Sequence, residues 1–144
     1  MTGKILHLQL KTRHGGPMKP VDSALAVTGK GLQGDAAFGH AKRQVLIIEN
    51  ETLQEFDLPI GDVRENLTVA GVQLAGVPAG TRVRVGVVLL EATLDCAPCE
   101  FIEDKRPGLR AAIEGRRGTL FRVVEGGEIK AGDPIAVLVS EAVT

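Results

Sequence analysis

The sequence predicts a mostly β protein, a barrel of short antiparallel or mixed strands with two or so short helices, on three observations. The 18 glycines and 7 prolines make many turns, as an all-β domain of short strands needs. The apolar stretches are brief, and they alternate with polar residues or run as β-branched clusters. Helical spacing of apolar residues appears only in two short segments, around Leu53-Gln54-Glu55-Phe56 and around Leu109-Arg110-Ala111-Ala112-Ile113.

Taken in order, Lys4-Ile5-Leu6-His7-Leu8-Gln9-Leu10 alternates polar and apolar side chains and reads as the first strand. Arg13-His14-Gly15-Gly16-Pro17 breaks it, and Ala24 to Val27 forms a second strand. Gly29 to Gln44 carries four glycines and no clean period, so it reads as a long loop of the kind that often carries function. Val45-Leu46-Ile47-Ile48 is unbroken and largely β-branched, which predicts a buried strand. Asn50 is placed to cap a short helix through Phe56, ended by Pro59 and Gly61. Arg64 to Val69 is extended, residues 71 to 80 are a turn-rich link, and Thr81 to Val85 and Val87 to Thr93 are the clearest strands. After a weak helical stretch at Glu100 to Asp104, a short helix spans Pro107 to Ile113 and a strand spans Thr119 to Val124. Glu125-Gly126-Gly127-Glu128 then reads as the tight turn of a hairpin, and a last strand covers Ile135 to Val139.

Length and composition bound the function. A chain of 144 residues, 44% hydrophobic, predicts one domain over residues 1–144 with a core burying about two-thirds of its unfolded surface. No apolar run reaches membrane-spanning length and no basic-then-apolar leader follows Met1, so neither a membrane span nor a secretion signal is expected. Two cysteines in such a chain are expected to be reduced, which favours the cytoplasm. Net charge is −1, against a nucleic-acid partner, and four Phe with no Tyr or Trp offer no stacking platform for bases. The charge is uneven, +5 over residues 1–44, −8 over 45–104 and +2 over 105–144, which suits either two faces, one fitted to a small anion, or ordinary solvated surface.

Three features carry chemistry. Cys96-Ala97-Pro98-Cys99 holds both thiols just after the most apolar run. The pair is open to four readings: half of a zinc site completed by His7, His14 or His40, a redox pair, two inert core thiols, or one reactive thiolate activated by Arg106, Arg110, Arg116 or Arg117. No second Cys-X-X-Cys exists to complete zinc, and no long helix follows to make the redox pair thioredoxin-like. Gly31-Leu32-Gln33-Gly34-Asp35 is glycine-rich enough to form an anion-binding nest, or a plain surface turn. Arg43 and Arg64 stand beside apolar strands, with Glu65 as an internal partner for Arg64, and Asn66 is equipped to read a heterocycle edge or to pin a turn.

Together these segments resemble the MOSC domain family, named for the C-terminal domain of molybdenum cofactor sulfurase, and most of all its short, stand-alone bacterial members. The similar stretches are Gly31 to Asp35, Arg43-Gln44-Val45, Arg64-Glu65-Asn66-Leu67, Cys96 to Cys99, Pro107 to Ala111 and Gly126 to Asp133, in register over nearly the whole chain. The resemblance implies a β-barrel and a functional thiol at Cys99, a ligand of molybdenum in a pyranopterin cofactor or a carrier of sulfur as a persulfide. It implies that Gly34, Asp35, His40, Arg43, Arg64, Asn66 and Arg117 serve the molybdopterin form of that cofactor. It also implies reduction of N-hydroxylated compounds with electrons from a separate protein, or a non-catalytic role as cofactor carrier or sulfur relay. The chain departs from the family in setting His40 five residues after Asp35, and in reading Gly115-Arg116-Arg117-Gly118 where relatives have a glycine-rich turn.

Overall fold

A computed structural model describes residues 2–13 and 16–138. Its strands are β1 (Thr2–Lys11), β2 (Met18–Val21), β3 (Ser23–Val27), β4 (Gly31–Leu32), β5 (Val45–Glu49), β6 (Leu67–Ala70), β7 (Arg82–Val85), β8 (Val88–Asp95), β9 (Thr119–Glu125), β10 (Gly127–Lys130) and β11 (Pro134–Val137). The helices are α1 (Asn50–Glu55), α2 (Glu100–Glu103) and α3 (Leu109–Ala112). Strands β11, β7, β8, β9, β5, β6 and β1 pair in that order, and β1 pairs back onto β11 to close a barrel. All these pairings are antiparallel except β5 with β6, which run parallel and are joined through α1, as a parallel pair requires. β2 extends the sheet beside the far end of β1, and β10, β3 and β4 form a small separate sheet.

The unbroken apolar run 45–48 forms β5, which is buried along its whole length between β9 and β6. Phe121 of β9 is fully buried in the barrel core with Ile5, Val45, Ile47, Leu90 and Ile135. Burying one such ring contributes about 2–3 kcal/mol relative to leaving it exposed. A second cluster, Ile48, Leu53, Leu58, Val63, Ile102, Leu109 and Ile113, seats the helices on the outside of β5. No helix among the described residues is long and apolar enough to cross a membrane.

Four local expectations change. The weak stretch after Cys99 does form a helix, α2, because Ile102 drops into the second cluster. Met18 to Val21, not foreseen as a strand, becomes one by pairing with β1. Asn50 is the first residue of α1 rather than its cap; Glu49 stands at the cap position and its carboxylate turns away to the amides of Leu74 and Ala75. The glycines after β9 do not make a hairpin: β10 pairs with β3 instead. At Gly126 the chain passes so close to β3 that a side-chain carbon would lie 2.5 Å from the Ala26 carbonyl oxygen. The last expected strand is present as β11, with Val139 outside the described residues.

Candidate functional site

A cleft of about 600 Å³ gathers residues that lie far apart in the chain. Lys11 reaches it from the end of β1, Ala36, Ala37, His40 and Arg43 from the long loop before β5, and Arg64 from the turn before β6. Cys96, Cys99 and Phe101 come from the exit of β8, Arg117 from the segment before β9, and Leu46 and Leu120 line it with apolar surface. Leu46 and Leu120 also pack on Cys96, so one wall is greasy and carries a buried thiol, whereas Cys99 is exposed. Both cysteines are free thiols.

The loop holds its shape through Asp35, Gln44 and Asn66. Asp35 is buried; its Oδ1 accepts from the Lys11 amide at 2.7 Å and from Asn66 Nδ2 at 3.0 Å, and its Oδ2 from the Ala37 amide at 3.0 Å. Asn66 also donates to the Gln9 carbonyl at 3.2 Å and accepts from the Leu46 amide at 2.9 Å, so both amide hydrogens and its oxygen are engaged inside the fold. Gln44 binds the carbonyls of Gly29 (3.1 Å) and His40 (2.7 Å) and accepts from the Val123 amide at 2.9 Å. Gly34 has φ +87, a left-handed conformation only glycine adopts without cost, and its missing side chain would meet nothing nearer than Leu10 at 3.7 Å. The amides of Gln33, Asp35, Ala36 and Phe38 donate to the carbonyls of Leu25, Leu32, Lys11 and Asp35, so the loop does not present an open nest. None of Gly34, Asp35 and Asn66 lines the cleft; they stand behind it.

The side chains that do face the cleft are cationic or soft. Arg43 Nη2 donates to Cys96 Sγ at 3.9 Å. His40 Nδ1 accepts from the amides of Arg43 (3.3 Å) and Lys42 (3.4 Å), which leaves the neutral ring's proton on Nε2. Arg64 sits at φ +64 and its guanidinium donates to the carbonyls of Gly16 and Arg13. It makes no ion pair with Glu65 among the described residues; that carboxylate is buried, with Oε2 accepting from the Gly61 amide (2.7 Å) and Thr68 Oγ1 (2.9 Å). Arg117 is 6% exposed, and its Nε and Nη1 are sealed from solvent with no hydrogen-bond partner among the described residues.

The field in the cleft is felt by its titratable groups. Burial, with Arg64 and Arg117 nearby, pulls the Lys11 ammonium below the ordinary lysine range, against the opposing pull of Asp35 and Cys96. Burial pushes the Glu65 carboxyl above its ordinary range, against the hydrogen bonds from Gly61 and Thr68 and the charge of Arg117.

Of the four arginines considered as activators of the thiol, only Arg117 lines the cleft. Arg116 makes a two-pronged pair with Glu55 at 2.6 and 2.9 Å over the Phe56 ring, Arg110 pairs with Glu100, and Arg106 bonds the Phe56 carbonyl. No group of three or more His, Cys, Asp or Glu placed to hold a metal ion occurs among the described residues, and His14 lies outside them. Lys11 escaped the sequence reading, although its position two residues beyond Gln9 on an alternating strand puts both on one face. Phe101, Leu46 and Leu120 carried no signal beyond core character.

Fold and site together define a class: a small mixed β-barrel with a cationic cleft that carries one buried and one exposed thiol. A model of the MOSC domain matches residues 11–136, and the chain belongs to that family. The YuaD protein from Bacillus subtilis has the same fold, with a TM-score of 0.78 at 23% identity and 94% of each chain covered. YiiM from Geobacillus stearothermophilus follows at 0.73 and 20%, covering 95% of this chain and 75% of the other, and YiiM from Escherichia coli at 0.71 and 19%, covering 95% and 70%. No curated protein sequence matches the chain.

Proposed function

We propose that the cleft binds the molybdenum cofactor in its molybdopterin form, with Cys99 as the thiol that ligates molybdenum or carries sulfur. The observation that carries this is Arg117: a buried guanidinium that lines the cleft holding both thiols and forms no ion pair among the described residues, so that an anion in the cleft would supply its counter-charge. The donor set suits the group. A thiol is a good ligand for a soft metal, and guanidinium and ammonium groups recognise a phosphate. When bound, the cofactor would supply two-electron redox chemistry at the metal, suited to reducing N-hydroxylated compounds with electrons from a separate protein.

The chain's own residues have distinct parts in this reading. Arg117 and Lys11 neutralise the phosphate, with Arg64 beside them. His40 presents Nε2–H to the cleft as a proton donor. Arg43 holds Cys96 by its sulfur, while Cys99 remains free to react. Gly34, Asp35 and Asn66 act one layer back by fixing the loop. The reduced thiols fit a cytoplasmic setting.

Because the protein has no Trp or Tyr, a bound pterin would dominate its near-ultraviolet spectrum. Anaerobic purification of wild type and Cys99→Ser from a host that makes the cofactor is the test. Pterin absorbance with near-stoichiometric molybdenum, lost or altered in the variant, is expected; identical spectra and metal content from both would refute the role of Cys99. A second reading, a non-catalytic cofactor carrier or sulfur relay, is favoured by the exposure of Cys99, which leaves the thiol open to another protein. Turnover of a hydroxylamine-type substrate with an artificial reductant separates the two.

A further inference from the structure

Behind the cleft lies a buried polar network that the proposed chemistry does not use. Gln9 Nε2 donates to Thr68 Oγ1 at 3.5 Å, Thr68 Oγ1 donates to Glu65 Oε2 at 2.9 Å, and the Gly61 amide donates to the same oxygen at 2.7 Å. Two acceptors on this network, Gln9 Oε1 and Glu65 Oε1, are sealed from solvent without a donor among the described residues. Arg117 has the opposite deficit, two sealed donors without an acceptor among the described residues. Arg117 lines the cleft, and its charge acts both on Glu65 inside and on Lys11, so the guanidinium stands near the network and the ligand space alike.

We propose that Glu65 is a proton-linked positioning residue: when an anion occupies the cleft against Arg117, Glu65 takes up a proton, and the new O–H supplies a donor to a network that has two acceptors without one. This rests on the cleft being an anion site. An anion beside Arg117 offsets the positive charge that helps keep Glu65 ionised, and its own negative charge adds to the effect. Linkage makes the effect reciprocal: displacing the proton affinity of Glu65 by one pKa unit changes anion affinity about tenfold, tighter on the acid side.

The charges around Glu65 are few. From β1 the network's member is uncharged Gln9, bonded to Thr68, with exposed His7 across from Thr68 and Lys11 further along in the cleft. From its own segment it meets the Gly61 amide and Thr68, while the Arg64 guanidinium is turned to the Gly16 and Arg13 carbonyls. From the segment before β9 it meets Arg117. Asp35 is held by the Lys11 and Ala37 amides and by Asn66. His40, Lys11 and the two thiols also face the cleft; His40 is removed in every arm, and the comparison with Glu65→Gln subtracts what Lys11 and the thiols contribute.

The experiment uses sulfate, whose charge stays constant from mildly acid to neutral pH. It is titrated calorimetrically into the full chain in buffers of different ionisation enthalpy, which counts the protons taken up. All arms carry His40→Gln to remove the imidazole's contribution. Proton uptake with sulfate is expected in that background and is lost on adding Glu65→Gln, which can keep the bonds from Gly61 and Thr68. Sulfate binding with no proton uptake, or with uptake unchanged by Glu65→Gln, overturns the proposal and leaves the anion site standing. Absence of sulfate binding overturns both. Infrared difference spectra of the wild-type protein test the same point without a variant: a protonated-carboxyl band gained on adding sulfate supports the proposal, and none gained refutes it.

Discussion

Replacing Arg117 by methionine is expected to separate the proposed anion binding from folding, because the two should respond in opposite directions. The side chain is 6% exposed and two of its three nitrogens are sealed without partners among the described residues. Each unmet buried donor costs roughly 1–3 kcal/mol, and an apolar side chain of similar length removes both. Part of that gain is offset, since Arg117 is a cation acting on buried Glu65, which must then stay protonated to be accommodated. The net expectation is a ligand-free protein more stable by about 2 kcal/mol, a rise of roughly 4–8 °C in Tm for a domain of this size. Sulfate affinity should fall about tenfold or more, the value of a charged hydrogen bond. Thermal unfolding followed by circular dichroism in buffer free of phosphate and sulfate gives the first quantity, and calorimetric titration the second. A variant less stable than wild type under those conditions would show that Arg117 is satisfied within the fold. The case for an anion would then lose its main support.

Three further outcomes follow from the same geometry. Asn66→Ala leaves the Leu46 amide, the Gln9 carbonyl and one Asp35 oxygen without their partner, so a loss of about 3 kcal/mol is expected in denaturant titrations; a loss under about 1 kcal/mol would refute its scaffolding role. Glu65 has a folded-state pKa above its unfolded value, so its favourable contribution is full below the unfolded pKa and is lost as pH rises through the folded one. Glu65→Gln should therefore flatten the fall in stability above mildly acid pH and raise the unfolding midpoint at neutral pH, while an unchanged pH profile would sink the assignment. Alkylation of the native protein should modify Cys99 well before Cys96, because one is exposed and the other buried; mass spectrometry of the peptides decides, and equal rates would refute the asymmetry.

How far the sequence could be read differed by level. Alternation in β1 and the β-branched run of β5 report burial directly, so barrel class and most strands were legible. Partner choice was not, since β10 reads locally as the return arm of a hairpin and is drawn to β3 by the close approach at Gly126, a contact between distant segments. The candidate site divides the same way. His40, Arg43, Arg64, Arg117 and both cysteines do meet in one cleft, whereas Arg106, Arg110 and Arg116 differ from Arg117 only in which carboxylate or carbonyl lies within reach. Lys11 was missed because alternation places it on the face of Gln9 but carries no signal of Asp35, Arg64 and Arg117, which the fold brings near it from distant segments.

Glycine, aspartate and asparagine in a loop suggest ligand binding because each can bond a ligand, but that capacity counts only if the fold has not already engaged it. Asp35 and Asn66 are engaged: their bonds tie β1, β5 and the long loop into one unit, so removing either acts on the cleft through its shape. Arg117 is the reverse case, because folding buries it and leaves two donors without a partner among the described residues. A cost of that kind within a marginal total stability is sustained where something outside the chain completes the bonds. On the proposed reading, the uncompensated charge of Arg117 is where a ligand's negative charge would sit, and the exposed sulfur of Cys99 on the same lining is where its reactive end would lie.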